Sequence, residues 1–214
     1  MRSKKQLLRI WKIYAVLDAS LFPDTGKLLR KFKALLDSPV DAIQLRFKDF
    51  TDLSLYRAAE KMAALSKARH VPLIINDRPE IALSLGASGV HLGKSDISIS
   101  AARRLLGGSA IIGCTIRGPE DLDSLIRRNA DYVSVGPFFR TPLKPELRAV
   151  SRKKIRELVR KAGMPLIAIG GINSTNIREV TSCGIHAVAF VRYAAGETNT
   201  RGKIELLRDA MTAS

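Results

Sequence analysis

The chain has 214 residues, of which 46% are hydrophobic and 26% are charged, and its formal net charge is +16. That apolar fraction, with only 15 glycines and 9 prolines, excludes a disordered or collagen-like chain. No apolar run approaches the ~20 residues that a membrane-spanning helix needs. The basic start carries Arg9 and Lys12 where a signal peptide has a clean apolar stretch. We therefore expect one globular domain in the cytoplasm, with no membrane-spanning segment.

The cysteine count excludes two kinds of site, and the net charge indicates the kind of partner. Two cysteines are too few for a disulfide framework or for a zinc site built from cysteines alone. Lysine and arginine number 36 against 20 aspartates and glutamates, and such a surface attracts anions. Nucleic acid, an anionic membrane surface and phosphorylated metabolites all remain candidate partners at this point.

Short β-branched runs alternate about eight times with segments of helical spacing. The basic residues 1–12 are predicted to form an arm or a helix, and residues 13–214 a barrel domain. The predicted strands are Ile13–Asp18, Ala42–Arg46, Pro72–Asn76, Gly89–Gly93, Ala110–Thr115, Tyr132–Gly136, Pro165–Gly170 and Ala187–Val191. Continuous apolar runs of this kind are typical of parallel strands covered on both faces. The pattern predicts an α/β protein with a single TIM (β/α)8 barrel, and a doubly wound open sheet is the alternative.

Two aspartates follow neighbouring strands of the predicted barrel. In this fold the active site lies where strands end and the next loops begin. Asp77 follows the third strand and Asp96 follows the fourth, so we expect them to be neighbours at one rim. Paired carboxylates beside substrate phosphates commonly hold Mg²⁺. The alternative for either residue is an aspartate that caps a turn or a helix.

Three polar residues alternate at the end of the second strand. Gln44, Arg46 and Lys48 would point to the same side if the strand continued. Arg46 is suited to bind phosphate through its guanidinium fork, and Lys48 as a point charge. The alternative is an ion pair at the rim with Asp77 or Asp49.

Two loops are further candidates. Gly170 and Gly171 follow the seventh strand and are predicted to present backbone N–H groups at a helix N-terminus, which is a frequent phosphate site in this fold. A tight turn is the other common use of two glycines. The segment Arg140–Ala149, which contains Lys144, is longer than the neighbouring loops. It is predicted either to close over a substrate or to be an exposed linker.

Six segments, in order and spacing, resemble the thiamin phosphate synthase (thiamin-phosphate pyrophosphorylase) family and its thiazole tautomerase relatives. They are IQLRFKD, LIINDR, GVHLGKSD, IIGCT, DYVSVGPFFRTPLK and PLIAIGGIN, and the likeness runs from about Ile13 to Val191. The resemblance implies a TIM-barrel transferase. Its reaction would join hydroxymethylpyrimidine diphosphate to thiazole phosphate, giving thiamin phosphate and pyrophosphate.

The resemblance also implies roles for individual residues. The expected catalytic cations are Arg46, Lys48 and the lid residue Lys144, and the expected Mg²⁺ ligands are Asp77 and Asp96. The expected substrate contacts are Gln44 and Asn76 for the pyrimidine diphosphate, Thr115 for the pyrophosphate, and Thr141, Gly171, Val191 and Arg192 for the thiazole phosphate. The implied reaction ionises the pyrimidine to a carbocation before the thiazole nitrogen attacks. It needs no general base, which agrees with our interpretation of His91 as a core imidazole.

The sequence departs from the family pattern in several places. Lys94, Arg140, Leu143 and Arg192 stand where Gln, Pro, Thr and Ser are usual, and three of these changes add a cation near an expected phosphate site. The nearest rival is a thiazole tautomerase, which is expected to use a His after the fifth strand, where this chain has Arg117. An inactive or repurposed paralogue is a further alternative.

A basic nucleic-acid-binding protein is the alternative from another class. The chain has 6% aromatic residues and no RNP, zinc-finger or helix-turn-helix pattern, which disfavours it. The cations on the predicted outer helices are expected to form a solvated face; they are Arg103, Arg104, Arg127, Arg128, Lys153 and Lys154. The expected partners are therefore small phosphorylated substrates rather than nucleic acid or a membrane. The sequence leaves the oligomeric state open, a homo-oligomer included.

Overall fold

A computed structural model of the chain describes residues 4–48, 50–122, 129–185, 187–193 and 199–212. Its parallel strands pair in chain order and the eighth pairs with the first, which closes a barrel. The strands are β1 Ile13–Asp18, β2 Ala42–Arg46, β3 Leu73–Asn76, β4 Gly89–Leu92, β5 Ile111–Ile116, β6 Tyr132–Val135, β7 Leu166–Ile169 and β8 Ala187–Phe190. The predicted barrel is confirmed, with each strand end within one residue of its predicted position. The open-sheet alternative is wrong.

Among the described residues, α-helices precede β1, follow β8 and lie between most pairs of successive strands. They are α1 Lys4–Ile10, α2 Thr25–Leu36, α3 Asp52–Ala68, α4 Pro79–Ser84, α5 Ile99–Leu106, α6 Arg152–Lys161, α7 Ile177–Thr181 and α8 Thr200–Thr212, with short 3₁₀ helices at Ala19–Leu21 and Pro119–Asp121. Each long helix buries one apolar stripe, as α3 does with Leu55, Ala59 and Met62. Within the described ranges, no helix combines the length and apolar character that a membrane span requires.

Two groups of buried apolar side chains hold the barrel together. The larger group joins the strands to the outer helices. The smaller group fills the barrel interior where the strands begin, and Leu8 of α1 and Trp11 belong to it together with Tyr14 and Tyr132. Helix α1 and Trp11 therefore close the end of the barrel at which the strands start. Polar side chains line the opposite end, which is where the strands lead into their loops.

An aromatic layer marks the boundary between the apolar and polar parts of the interior. A Cβ at Gly113 would lie 2.0 Å from the ring of Tyr132, so only glycine leaves room for that ring. Tyr14 packs edge-on against Tyr132 with ring centroids 5.9 Å apart, and Trp11 packs against both. The phenol hydroxyls of Tyr14 and Tyr132 form hydrogen bonds with polar side chains at this boundary.

The outer cations only partly match the predicted solvated face. Arg104, Lys153 and Lys154 are exposed, and Arg127 and Arg128 lie outside the described residues. Arg103 is instead paired with Asp131 at 2.6 Å, and it also donates to the carbonyl of Ala110 at 2.6 Å. The prediction was wrong for Arg103 because a carboxylate just before β6 lies within its reach. These contacts tie α5 to the starts of β5 and β6.

Candidate active site

Interior-facing positions near the ends of the strands carry polar residues. Side chains two apart on a strand share a side, so each strand brings every second residue into the barrel. Neighbouring interior positions pair as Asp18 with Arg46, Asn76 with His91, and Thr115 with Ser134. Gln44 lies two residues before Arg46 and faces the same interior. The barrel thus brings together four of the residues predicted from the sequence, namely Gln44, Arg46, Asn76 and Thr115.

Arg46 is held by an ion pair that the sequence analysis missed. Its Nη1 donates to Oδ2 of Asp18, which is buried. The other carboxylate oxygen of Asp18 accepts from the backbone N–H and the hydroxyl of Ser20, at 3.1 and 2.8 Å. Asp77, the partner considered from the sequence, is therefore not the one that Arg46 binds, and Asp49 lies outside the described residues. The signal was available, because Asp18 and Arg46 occupy interior positions on adjacent strands.

Lys48 does not continue the alternation of Gln44 and Arg46. Strand β2 ends at Arg46, as predicted, and Lys48 is exposed beyond it, so the condition for the three side chains to share one side is not met. The loop that carries Lys48 is anchored by Arg78, whose guanidinium donates to the carbonyls of Phe47 and Phe50 at 3.3 and 3.4 Å. The position of Lys48 thus depends on loop contacts rather than on the strand.

Asp77 and Asp96 lie side by side and share a hydrogen bond. Burial raises the pKa of Asp77 to about 6, and both the hydrogen bond with Asp96 and its negative charge act in the same direction. The charges of Arg46 and Arg78 oppose that rise in pKa. The two carboxyls therefore disfavour double ionisation, which is the electrostatic condition that a divalent cation relieves.

The backbone holds both carboxylates firmly. Asp77 has φ of +65°, and its N–H donates to the carbonyl of His91 at 2.8 Å. Oδ2 of Asp96 accepts from the N–H of Gly93 at 2.6 Å. The described residues hold no group of three or more His, Cys, Asp or Glu suited to a metal. Two oxygen donors fit Mg²⁺, which commonly takes its remaining ligands from substrate phosphates and water.

A chain of hydrogen bonds crosses the barrel interior above the aromatic layer. Gln44 Nε2 donates to the hydroxyl of Tyr14 at 2.9 Å. The Tyr14 hydroxyl is 2.9 Å from that of Tyr132, which is 2.9 Å from Nδ1 of His91. We call the full set the interior chain, and its members are Gln44, Tyr14, Tyr132, His91, Thr115 and Ser134.

His91 connects this set to two hydroxyls near the open end. Its Nε2 is 2.8 Å from Thr115 Oγ1, which is 3.0 Å from Ser134 Oγ. Burial lowers the pKa of His91 to about 4, with the charge of Asp96 opposing this fall and the charge of Lys144 acting in the same direction as burial. The interpretation of His91 as a satisfied core imidazole is confirmed. Its link to Thr115 was missed.

The other members that the sequence analysis missed are Tyr14, Tyr132 and Ser134. The first two begin or nearly begin their strands, where a large aromatic residue is usually read as core. All three nevertheless lie at interior positions by the two-residue period of β1 and β6. Applying that period to every strand would have selected them.

The segment after β6 runs from Arg140 to Ala149 without helix or strand. Lys144 is exposed, and its backbone N–H donates to the carbonyl of Thr141 at 3.2 Å. Arg117 donates to the carbonyl of Arg148 at 3.0 Å and so fastens the far end of the segment to the loop after β5. The lid remains a prediction.

The glycine pair after β7 forms a tight turn. Gly170 and Gly171 have φ of +105° and +65°, and a Cβ at Gly171 would lie 2.7 Å from the carbonyl oxygen of Arg140. The predicted helix N-terminus at this point is wrong, because α7 begins only at Ile177. The side chain of Asn173 accepts two backbone N–H bonds and makes a turn there before the helix starts. The backbone of Gly171 therefore lies close to the Arg140 carbonyl, with no side chain between them.

Two further predicted residues follow β8. Val191 packs against the smaller core group, and the side chain of Arg192 is exposed. Arg192 therefore does not fill the barrel interior. Its charge lies at the same end of the barrel as Lys48 and Lys144, since all three follow the ends of strands.

This arrangement can be compared with known proteins. A family model described as thiamine monophosphate synthase matches residues 13–194. The chain is a member of the thiamine monophosphate synthase family. A thiamine-phosphate synthase of Methanobrevibacter smithii is 35% identical over 181 residues, which cover 82% of this chain and 87% of the relative. One from Caldanaerobacter subterraneus subsp. tengcongensis is 33% identical over 202 residues, covering 92% and 94%.

A solved structure supports the same assignment. Thiamine phosphate pyrophosphorylase from Pyrococcus furiosus superposes with a TM-score of 0.83 at 28% identity, covering 96% of this chain and 98% of that one. The resemblance drawn from the six motifs is thereby confirmed. The thiamine monophosphate synthase match spans all eight strands, so every candidate residue from Gln44 to Arg192 falls inside it.

Proposed function

We propose that the chain is a Mg²⁺-dependent thiamin phosphate synthase. It would join hydroxymethylpyrimidine diphosphate to thiazole phosphate and release pyrophosphate. The observation that carries the proposal is the contact between Asp77 and Asp96 beside Arg46, at the open end of a barrel that belongs to this family. A cytoplasmic location is part of the proposal, and two buried cysteines outside any disulfide agree with it.

The reaction exchanges one bond to carbon for another. The bond from the pyrimidine methylene carbon to the diphosphate breaks, and its electron pair leaves with the diphosphate. The lone pair of the thiazole nitrogen then forms the new C–N bond. No proton has to move, so a neutral, buried His91 is compatible with the chemistry. The tasks left to the protein are stabilising the departing charge and holding the two substrates in place.

Cations and a metal would stabilise the leaving group. Arg46, Lys48 and Lys144 supply positive charge for the diphosphate at the ends of β2 and β6. Asp77 and Asp96 would hold Mg²⁺, which when bound neutralises charge on the diphosphate oxygens. The ion pair with Asp18 fixes the guanidinium of Arg46, so that it is positioned before a substrate arrives.

The remaining candidates would contact the two substrates. Gln44 and Asn76 would recognise the pyrimidine, and Thr115 would meet the pyrophosphate from the barrel interior. Thr141, Gly171, Val191 and Arg192 would surround the thiazole phosphate. Gly171 supports this because its bare backbone can approach a phosphate, and exposed Arg192 supplies the opposite charge.

The test combines the purified chain with both substrates and Mg²⁺ and follows thiamin phosphate and pyrophosphate. We expect Asp77→Asn and Asp96→Asn each to lower kcat about a thousandfold, since losing a metal ligand removes about 4 kcal/mol of transition-state stabilisation. Circular dichroism of each variant checks that the barrel is intact. Glu205→Gln, on the surface of α8, is the matched carboxylate control and should leave kcat unchanged.

The alternatives give different results in the same assay. A wild-type chain that isomerises the thiazole but forms no thiamin phosphate would be a tautomerase, although it has Arg117 at the expected histidine position. Salt-sensitive RNA binding without product would indicate the nucleic-acid-binding class. Full activity of both aspartate variants would remove the metal from the proposal.

A further inference from the structure

We infer that the interior chain is polarised, so that Thr115 donates its hydroxyl proton toward the open end of the barrel, and that His91 is the positioning residue that fixes this polarity. That the acceptor is the diphosphate of the substrate rests on the proposed function. The donor itself follows from counting protons along the hydrogen bonds.

The first half of the count runs from Gln44 to His91. Burial raises the pKa of both phenols, so Tyr14 and Tyr132 keep one proton each. Tyr14 accepts from the amide of Gln44, and its own proton goes to Tyr132 at 2.9 Å. If Tyr132 donated to Tyr14 instead, the Tyr14 proton would be buried without an acceptor. Tyr132 therefore donates to Nδ1 of His91 at 2.9 Å.

The second half runs from His91 to the two hydroxyls. Because Nδ1 accepts from Tyr132 it carries no proton, so the single proton of the imidazole is on Nε2. Nε2–H donates to Thr115 Oγ1 at 2.8 Å. Ser134 Oγ lies 3.0 Å from Thr115 Oγ1 and 3.4 Å from Nε2. Ser134 is buried, and a protonated Nε2 cannot accept from it. Among the contacts of Ser134 with the described residues, Thr115 Oγ1 is then the acceptor left for its proton, so Ser134 donates to Thr115.

Thr115 can therefore make one further hydrogen bond, and only as a donor. Both lone pairs of its oxygen are occupied, so it acts only as a donor. Thr115 is exposed, whereas the other five members of the interior chain are buried. Its proton is therefore available at the open end, where an anionic oxygen is the strongest acceptor. A donor fixed in advance needs no reorganisation when charge develops on a leaving group.

The first experiment reads the tautomer of His91 directly. In a chain carrying His70→Gln and His186→Gln, His91 is the only histidine, and its ¹⁵N NMR shifts report which nitrogen carries the proton. We expect the Nε2–H form at pH 7.5. Tyr132→Phe should give a mixture of tautomers because Nδ1 loses its donor. Tyr14→Phe is the matched control and should keep the Nε2–H form, since Tyr132 can still donate. An Nδ1–H tautomer in the unsubstituted cluster would overturn the inference.

The second experiment measures the donor through inorganic pyrophosphate. Calorimetric titration with Mg²⁺ present should show about tenfold weaker binding for Thr115→Val, the loss of one charge-assisted hydrogen bond, and binding within about twofold of wild type for Thr115→Ser. Tyr132→Phe, which keeps Thr115, should fall between them. Equal affinity of Thr115→Val and wild type would contradict the inference.

These results separate the inference from the proposed function. A wild-type chain that forms no thiamin phosphate, yet has the Nε2–H form and the tenfold loss, would reject the function and keep the donor. A wild-type chain that forms product with an Nδ1–H tautomer would reject only the inference.

Discussion

The polar interior of the barrel and its rim differ in how their polar and charged groups are paired. In the interior, every member of the interior chain is hydrogen-bonded to another, and Asp18 is paired with Arg46. At the rim, Asp77 and Asp96 place two carboxyls together. Across the described residues, no salt bridge engages Lys48, Lys144 or Arg192.

The difference indicates which groups were selected for the fold and which for a ligand. Satisfied buried polar groups stabilise one arrangement, and removing one partner is costly. Like charges held together raise the free energy of the folded chain, and a ligand of the opposite charge recovers it. Substitutions in the interior should therefore destabilise the protein, whereas some substitutions at the rim should stabilise it.

The largest effect is expected for Asp18→Ala. It removes the buried carboxylate that binds Arg46 and leaves the guanidinium without its partner. We expect the free energy of unfolding to fall by about 3 kcal/mol, as for other broken buried ion pairs. Urea denaturation followed by circular dichroism measures this fall. The control is Glu205→Ala, which breaks an exposed pair with Arg201 and should cost about 0.5 kcal/mol or less. Equal losses would mean that the interior pair contributes no more than a surface one.

A smaller loss is expected for Gly171→Ala, at the turn that joins the rim to β7. The new Cβ would meet the Arg140 carbonyl oxygen at 2.7 Å, at a backbone φ of +65°. Strain and crowding together should lower the free energy of unfolding by about 2 kcal/mol. The same change should raise KM for thiazole phosphate more than KM for the pyrimidine substrate. Gly163→Ala is the control, because nothing lies within 4 Å of its Cβ and its φ is not positive. Equal effects of the two variants would contradict this account.

The barrel could be predicted from the sequence because its strands are regular. The eight apolar runs fix the strands, and the two-residue period then fixes which side chains share the interior, as it does for Gln44, Arg46 and Thr115. The interior chain and the Asp18 pair were equally accessible to that period. They were missed because tyrosine and aspartate at strand positions were interpreted one residue at a time.

The rim could not be predicted to the same degree because loops have no period. Lys48 lies beyond the end of β2, and α7 begins six residues after Gly171. Each position depends on particular contacts, such as those of Arg78 with Phe47 and of Asn173 with its own turn. The motifs of the family identified these residues when the pattern of hydrophobicity did not.

The smallest effect is expected for Asp77, whose ionisation should lower the stability of the folded chain. The pKa of Asp77 rises from its ordinary value of 3.8 to about 6 on folding, so the folded chain binds this proton more tightly than the unfolded chain. The resulting stabilisation is complete below about pH 4 and is lost as the pH rises through about 6. In full the shift equals about 3 kcal/mol, which solvent screening at a half-buried carboxyl reduces to about 1 kcal/mol.

Asp77→Asn should therefore stabilise the metal-free chain by about 1 kcal/mol at pH 8 and by about half as much at pH 5, even though it is expected to lower kcat about a thousandfold. Asparagine cannot ionise, and it tolerates the positive φ at this position. Asp96→Asn is the matched comparison. It loses the charged acceptor of the Gly93 N–H and should not stabilise the chain to the same extent.

Urea denaturation at the two pH values, repeated with Mg²⁺, measures all of these differences. Mg²⁺ should raise the stability of wild type at pH 8 and leave Asp77→Asn nearly unchanged, because the paired charges that attract the cation are gone. A wild-type chain more stable than Asp77→Asn at pH 8 without metal would show that the two carboxyls do not repel, and the contrast between interior and rim would then fail.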